Sequence, residues 1–542
     1  MKERFSPPEL PFLGRHEHYS MRIVDTLSQQ PGRDALWWRG QRISAGRFRS
    51  LICAAARTMR DQGIGRGDIV AILTASNSPD MLITRYAVNL IGAAAIHLRS
   101  INAASSAEML PIEPQLQILR ETSARLLATD SPSLSRAIEI RADLNSPLVL
   151  AAVADLGPEA VDLTASGGDD APPDPPAVAA DDLAIITYTS GTTGQPKGIC
   201  RSFRAWGQAV STTEFPEREP RILVTTPLSH TVGPMVDAVL VSGGTIFLQE
   251  GFDPGEMLSS IARHRITRVF VAAPQIYQLL DHPARKFADF SSLRQIIYGG
   301  TSASPRRLGQ AVRAFGPVLV QTYGTTETWE IGTLSQREHL DPALLGTSGR
   351  QSPAARVVIR DPDNDQELPP GAVGEVCVQS PGMLTCYWKD EELTARALRG
   401  GWFHSGDLGY YDQVGYIHLV GRIADVIKYS GVKVYPIEVE NALLEHPGIA
   451  QAVVCGVRDS DDVEWVTAAV VLRPGWQVTA DEVRAQAAGQ LSQLHAPAVV
   501  TFREAMPLAG SGKPDKKLLR AEALASLAQR RDGERNSGSP AD

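Results

Sequence analysis

Tyr188–Ile199 reads YTSGTTGQPKGI, with three glycines, four small hydroxyl side chains and one lysine set directly behind the apolar run LAIITYT at 183–189. Glycine lets backbone N–H groups approach phosphate oxygens, hydroxyls add donors, and Lys197 adds positive charge, so the segment has the composition of an anion cradle. Two familiar cradles are excluded by spelling. A P-loop needs its lysine between glycine and Ser or Thr, whereas Lys197 stands between Pro196 and Gly198. The dinucleotide fingerprint G-x-G-x-x-G is absent, as are the G-x-S-x-G elbow and the H-E-x-x-H helix.

Outward from this loop, helix and strand patterns alternate. Upstream, 45–63 and 79–96 carry apolar residues at helical spacing around a short apolar run at 68–73. Downstream, RILVTT (221–226), GTIFLQ (244–249), TRVFVA (267–272), RQIIYG (294–299) and PVLVQTY (317–323) alternate with helix-length segments. That rhythm predicts a parallel sheet covered by helices. The shorter β-rich runs ARVVIR (355–360), GEVCVQ (374–379) and GYIHLV (415–420) predict a smaller sheet or barrel after it. The stretch 163–182, dense in Pro, Asp and Gly, reads as a surface connection. The expected fold is a large α/β N-terminal domain, 1–424, of parallel sheets with helices and a small β-barrel-like subdomain. A small mobile α+β C-terminal domain, 425–527, and a disordered tail, 528–542, follow it.

Composition bounds the function. The 542 residues are 43% hydrophobic and 21% charged, and 53 basic against 61 acidic residues give a net charge of −8. Such a chain offers no global basic field for nucleic acid. No run of 18 apolar residues predicts a membrane span, and the N-terminal segment has no apolar stretch behind its charges, so a cytoplasmic location is expected. The five cysteines, Cys53, Cys200, Cys377, Cys386 and Cys455, are scattered singly and read as reduced core thiols. A homodimer is compatible with the sequence and not specified by it.

Six further segments follow in order: PLSHTVG (227–233), YGGTSASP (298–305), QTYGTTET (321–328), WFHSGDLGYYD (402–412), GRIADVIKYSGVKVYPIEVE (421–440) and PLAGSGKPDKK (507–517). With the glycine-rich loop, they resemble the core motifs of the acyl-adenylate-forming superfamily in its acyl-CoA synthetase branch, over about residues 20–525. The resemblance implies ATP-dependent activation of a carboxylic acid through acyl-AMP, then transfer to coenzyme A, with ATP, Mg2+ and coenzyme A as the cofactors.

It also implies roles. Thr189, Ser190, Gly191, Thr192, Thr193, Gly194 and Lys197 would hold the departing phosphates, Thr326 would touch the α-phosphate, and Glu327 would bind magnesium. Tyr323 with Gly324 would face adenine, and Gly299, Gly300 and Thr301 would border both the adenine and acyl sites. Asp407 would accept hydrogen bonds from the ribose, assisted by Arg422. His230 would lie near the substrate carboxylate, with Val232, Gly233 and Val236 lining a hydrophobic acyl pocket. Lys513 would be a mobile catalytic lysine, Asp425 the hinge, and Ser430, Gly431 and Lys433 part of a coenzyme A tunnel. Taken singly, Tyr323 reads as core packing and a lysine in a Gly-Ser-Gly turn as a solvated charge. The ordered set changes both readings.

Ser405 and Ala509 stand where threonine is common in the family. Two alternative activities stay open on sequence: loading a carrier protein, and running only the thioester-forming half-reaction from a preformed acyl-adenylate. A noncatalytic nucleotide-binding protein is the alternative of another class. Fatty, aromatic and terpenoid acids all fit a hydrophobic pocket.

Overall fold

The computed structural model describes residues 14, 17–99, 109–144, 146–165, 172, 178–190, 196–213, 215, 217–301, 303–507 and 514–537, with 190 and 530–537 by backbone alone. Runs of β-branched and aliphatic residues form the interior strands. Ile69–Leu73 and Leu126–Thr129 are buried at every position, as expected of parallel strands covered on both faces. Helices start where serine or aspartate precedes the first turn. Ser44, Ser78, Asp253 and Ser304 each accept a backbone N–H at the start of Ala45–Asp61, Pro79–Leu90, Pro254–His264 and Pro305–Phe315.

Two large sheets result. In the first, Asp34–Trp38, Thr245–Leu248, Arg221–Val224, Arg268–Val271, Gln295–Gly299 and Leu319–Thr325 run parallel in that spatial order, with antiparallel strands at both margins. In the second, Leu183–Ser190, Ala94–His97, Ile69–Leu73, Leu126–Thr129, Val149–Ala152 and Val161–Asp162 run parallel, and Pro196–Ser202 with Cys386–Tyr387 adds an antiparallel margin. One core joins the sheets, because Leu36 and Ile222 of the first and Val70 and Ile185 of the second share it with the helical residues Phe48, Tyr86, Trp206 and Val236. Separate apolar clusters cover the outer faces.

Arg356–Arg360, Gly374–Gln379, Phe403–Tyr411 and Ile417–Arg422 form a four-stranded antiparallel sheet, the smaller sheet expected from sequence. Beyond it, the Ile427–Tyr429 and Val432–Val434 hairpin precedes a three-stranded sheet, Ile449–Arg458, Glu464–Leu472 and Val499–Arg503, which packs with helices Pro436–Leu444 and Ala480–Gln490 around its own core.

Two expectations need correction. The helix predicted over 79–96 ends at Leu90, where Gly92 at φ +77° turns the chain into the strand Ala94–His97. The alanines at 93–95 suit either state, so spacing alone extended the helix too far. The last helix, Lys516–Ser537, passes residue 527, where a disordered tail was expected to begin. Beyond Leu527 the sequence lacks large apolar residues, but Ala528, Gln529, three arginines and Glu534 favour propagation of a helix once it is nucleated, with Gly533 opposing it.

Candidate active site

The site lies at the carboxyl ends of parallel strands, where α/β sheets bind ligands. The glycine-rich loop closes a hairpin, with Thr189 opposite Lys197 and Ser190 opposite Pro196. Gly191, Thr192, Thr193 and Gly194 lie outside the described residues, as does Lys513.

Leu319–Thr325 carries Tyr323 and Gly324 to a second hairpin whose turn holds Thr326 and Glu327. The turn is fixed internally by the Thr328 N–H on Thr325 Oγ1 at 3.2 Å. Gly324 is required here, since a Cβ would lie 1.9 Å from the Trp329 carbonyl oxygen. Trp329 itself sits at φ +61°, a left-handed conformation that bulky residues rarely adopt and that clusters at functional sites. Gly299 pairs with Thr322 on the neighbouring strand, and Gly300 at φ +81° and Thr301 follow it. The Thr301 hydroxyl is buried without a hydrogen-bond partner in the described protein, as are those of Thr225 and Thr226 at another strand end.

The four-stranded sheet meets this hairpin through Asp407. The Tyr323 hydroxyl donates to Asp407 Oδ2 at 2.9 Å, and Arg422 Nε donates to Oδ1 at 2.8 Å. Burial and the adjoining carboxylate push the Tyr323 hydroxyl well above its ordinary range, so it stays protonated and keeps donating. Glu375, on the adjacent strand Gly374–Gln379, supports the Asp407 strand. Its Oε1 accepts the Gly406 N–H at 2.9 Å, and its Oε2 is engaged by Arg399 at 3.0 Å and His404 Nδ1 at 2.9 Å. Glu375, Cys377 and His404 place donor atoms within 4.8 Å of one another. With both carboxylate oxygens engaged and a guanidinium against one, the cluster is a hydrogen-bonded brace for Asp407.

The phosphate hairpin reaches Glu327 through its edge partner. Tyr387 pairs with Ile199, and its hydroxyl donates to Glu327 Oε1 at 2.9 Å. Arg201, two positions after Ile199, is fully buried; it donates to the carbonyls of Thr326 and Gly382 and stacks on Trp329 at 4.1 Å. Burial pushes its guanidinium down to about 9, while the neighbouring Glu327 favours the charge, so Arg201 is a cation at neutral pH.

His230 is buried, with Ser229 Oγ on its Nδ1 at 2.8 Å. Val232, Gly233 and Val236 follow on a buried helix, Val232–Val241. That helix is anchored by Asp237, which pairs with Arg85 and accepts from Trp206 Nε1 at 2.8 Å and Tyr86 at 2.5 Å. Trp206 stands edge-on to Trp329 at 5.4 Å, which connects the helix to the Glu327 turn.

The AMP-binding enzyme family model matches residues 24–388, and the AMP-binding enzyme C-terminal domain matches 438–513. The chain belongs to the AMP-binding enzyme family. Among its relatives, the medium/long-chain-fatty-acid–CoA ligase FadD8 of Mycobacterium tuberculosis is 33% identical, over 93% of this chain and 90% of that protein. The feruloyl-CoA synthase of an Amycolatopsis species is also 33% identical, over 90% of this chain and 96% of that protein. Among solved structures, the amide bond synthetase McbA of Marinactinospora thermotolerans has a TM-score of 0.85 at 34% identity, covering 93% of this chain and 99% of that one.

This AMP-binding enzyme keeps its remaining expected residues on the C-terminal unit. Ser430 and Gly431 have φ of 48° and 78°, the two left-handed residues of a tight hairpin turn, and Lys433 on the following strand is exposed. Asp425 is held by Lys516 Nζ at 2.7 Å and Arg520 Nη2 at 2.8 Å. Burial opposes its charge, but these two cations keep its carboxyl below the usual range. Sequence reasoning missed Arg201, Glu375 and the Arg85–Asp237 anchor. For Arg201 the one available signal was a charged residue directly after the apolar pair Ile199 and Cys200. No helix among the described residues is long and apolar enough to cross a membrane.

Proposed function

We propose that this AMP-binding enzyme is an acyl-CoA synthetase that activates a hydrophobic carboxylic acid with ATP through acyl-AMP and passes the acyl group to coenzyme A. The observation that supports it most is the Asp407 carboxylate, oriented from both sides by Tyr323 and Arg422 beside the Thr326–Glu327 turn. In the first half-reaction a carboxylate oxygen attacks the α-phosphorus of ATP and pyrophosphate leaves. Both reactants are anions, so catalysis rests on positioning and charge neutralisation.

In this reading Asp407 takes the ribose hydroxyls, Tyr323, Gly324, Gly300 and Thr301 border the adenine, and Thr189 to Gly194 with Lys197 hold the β- and γ-phosphates. Thr326 meets the α-phosphate, His230 the acid's carboxylate, and Lys513 bridges the two. Glu327 fits magnesium, because Tyr387 engages one of its two oxygens and a carboxylate beside phosphates suits a hard cation. Magnesium would supply charge neutralisation to the leaving pyrophosphate.

In the second half-reaction the coenzyme A sulfur attacks the acyl carbonyl carbon and AMP leaves. The two steps need different neighbours around one carbonyl. We assign the alternation to rotation of a C-terminal domain, 425–527, about Asp425, which brings Ser430, Gly431 and Lys433 to the pantetheine. The small or apolar Val232, Gly233, Val236 and Gly299 favour a hydrophobic acid, the class to which the acyl groups named for both ligase relatives belong.

A second reading is favoured by the likeness to McbA: the acceptor is an amine and the product an amide. A panel of fatty and aromatic acids with ATP, followed by coenzyme A, a carrier protein or an amine, tests both. Acid-dependent pyrophosphate release with thioester formation from coenzyme A supports the proposal, whereas release followed only by amide formation supports the second reading.

A further inference from the structure

Two cysteines face each other beside the phosphate hairpin. Cys200 lies on Pro196–Ser202, Cys386 lies on Cys386–Tyr387, and the two are direct partners across the antiparallel pair. Residues directly opposite in such a pair have Cα atoms about 4.5–5.5 Å apart, within the range of about 4.4–6.8 Å that a disulfide spans. A backbone hydrogen bond also joins the two strands here, from the Thr385 N–H to the Cys200 carbonyl at 2.8 Å. Cys200 is buried and Cys386 partly exposed, while Cys53, Cys377 and Cys455 are all buried. Contact with Cys200 also draws the Cys386 thiol down to about 7 against the opposing effect of burial, which favours its reactive thiolate.

The position gives the pair a consequence. Cys200 is three residues beyond Lys197 and immediately before Arg201, which holds the Thr326 carbonyl. Cys386 adjoins Tyr387, whose hydroxyl holds Glu327. A covalent tie between the strands therefore acts on both supports of the Glu327 turn and on the strand that carries Lys197.

We propose that Cys200 and Cys386 form a reversible disulfide under peroxide that slows adenylation. The Cys386 thiolate attacks one oxygen of hydrogen peroxide, the O–O bond breaks, and a sulfenic acid and hydroxide result, the hydroxide becoming water with the proton that the thiol had released. The Cys200 thiol then attacks that sulfur, its proton and the hydroxyl leave as a second water, and the S–S bond forms. Two thiols have lost two electrons and two protons, and one peroxide has become two waters. A dithiol reductant reverses the bond by exchange and is itself oxidised. The effect on rate rests on the proposed adenylation activity, while the bond itself does not.

The full chain is treated with hydrogen peroxide, alkylated, digested and mapped, in parallel with acid-dependent ATP–pyrophosphate exchange. The expected map joins the Cys200 and Cys386 peptides. The link is lost on adding dithiothreitol, absent in Cys200→Ser and in Cys386→Ser, and kept in Cys377→Ser. Exchange falls about tenfold or more as the link forms, the scale on which small misplacements of reacting groups act. Dithiothreitol restores it, and Cys386→Ser resists the same treatment. Oxidation of Cys386 to sulfinic acid without a link overturns the proposal, and so does a link that leaves exchange unchanged. Failure of the adenylation reading instead appears as no exchange before peroxide is added, in which case the peptide map alone decides whether the disulfide forms.

Discussion

At the residue scale, the account turns on the Tyr323–Asp407–Arg422 clamp. Tyr323→Phe keeps the ring and removes only the hydrogen bond to the carboxylate, a contact of about 1.5–3 kcal/mol for a charged acceptor. AMP binding followed by calorimetry is expected to weaken about tenfold or more, with the thermal midpoint little changed; unaltered affinity would show that Asp407 needs no orientation. Asp407 and Tyr323 were singled out from sequence because each sits inside a spelled motif, and the structure brings them into contact. Arg201 was not. A lone arginine on a strand reads as a surface charge, and its burial depends on the Thr326 carbonyl, 125 residues away. Glu375 was hidden likewise, since a carboxylate that braces a neighbouring strand carries no motif of its own, only partners at Gly406, Arg399 and His404.

At the element scale, two packing arrangements can be tested by stability. The helix Val232–Val241 is fastened through Asp237 to Arg85, both completely buried. Asp237→Ala leaves the guanidinium without its counter-charge and is expected to cost about 3–5 kcal/mol in urea unfolding; a loss under 1 kcal/mol would mean that Arg85 finds another partner. In the C-terminal unit, Glu440 on Pro436–Leu444 accepts the Val454 N–H at 2.9 Å, and burial lifts its carboxyl to about 7 from an ordinary 4.5. Lys516 pulls it down and Asp425 pushes it up, both by smaller amounts.

A raised carboxyl favours the folded state fully while both states are protonated, and that advantage is lost as pH climbs from about 4.5 through about 7. Relative to Glu440→Gln, the native chain should therefore lose about 2 kcal/mol of stability between acid and mildly alkaline solution. Parallel unfolding curves for the two proteins across that range would count against it. At this scale the apolar runs read from sequence as strands lie within about two residues of strands in the structure, because buried parallel strands are short apolar runs, whereas Asp34–Trp38, Leu126–Thr129 and Val149–Ala152 were not read from it. It failed where composition suits two states, as at the alanines after Gly92 and along the polar final helix.

At the scale of the whole molecule, the large sheets and the C-terminal unit were legible as α/β rhythm followed by a compact α+β stretch, and the family match bears out the class. What the sequence could not give is which strands from distant parts of the chain become neighbours. The Cys386–Tyr387 strand beside Pro196–Ser202 ties the phosphate hairpin to the Glu327 turn, and no local pattern announces that pairing. Domain alternation is tested by splitting the reaction. Lys513→Ala is expected to abolish acid-dependent pyrophosphate exchange, a loss of about a hundredfold or more, while much of the thioester formation from supplied acyl-adenylate survives. Equal loss of both half-reactions would place Lys513 outside this division of labour.

Acid-dependent exchange of radiolabelled pyrophosphate into ATP, with coenzyme A withheld and then added, separates an adenylating acyl-CoA synthetase from a protein that only binds AMP. Exchange is expected to require a hydrophobic acid and magnesium, and coenzyme A is then expected to bring conversion to AMP and acyl-CoA in equal amounts. Binding of AMP without exchange for any acid in a broad hydrophobic panel would contradict the proposed activity.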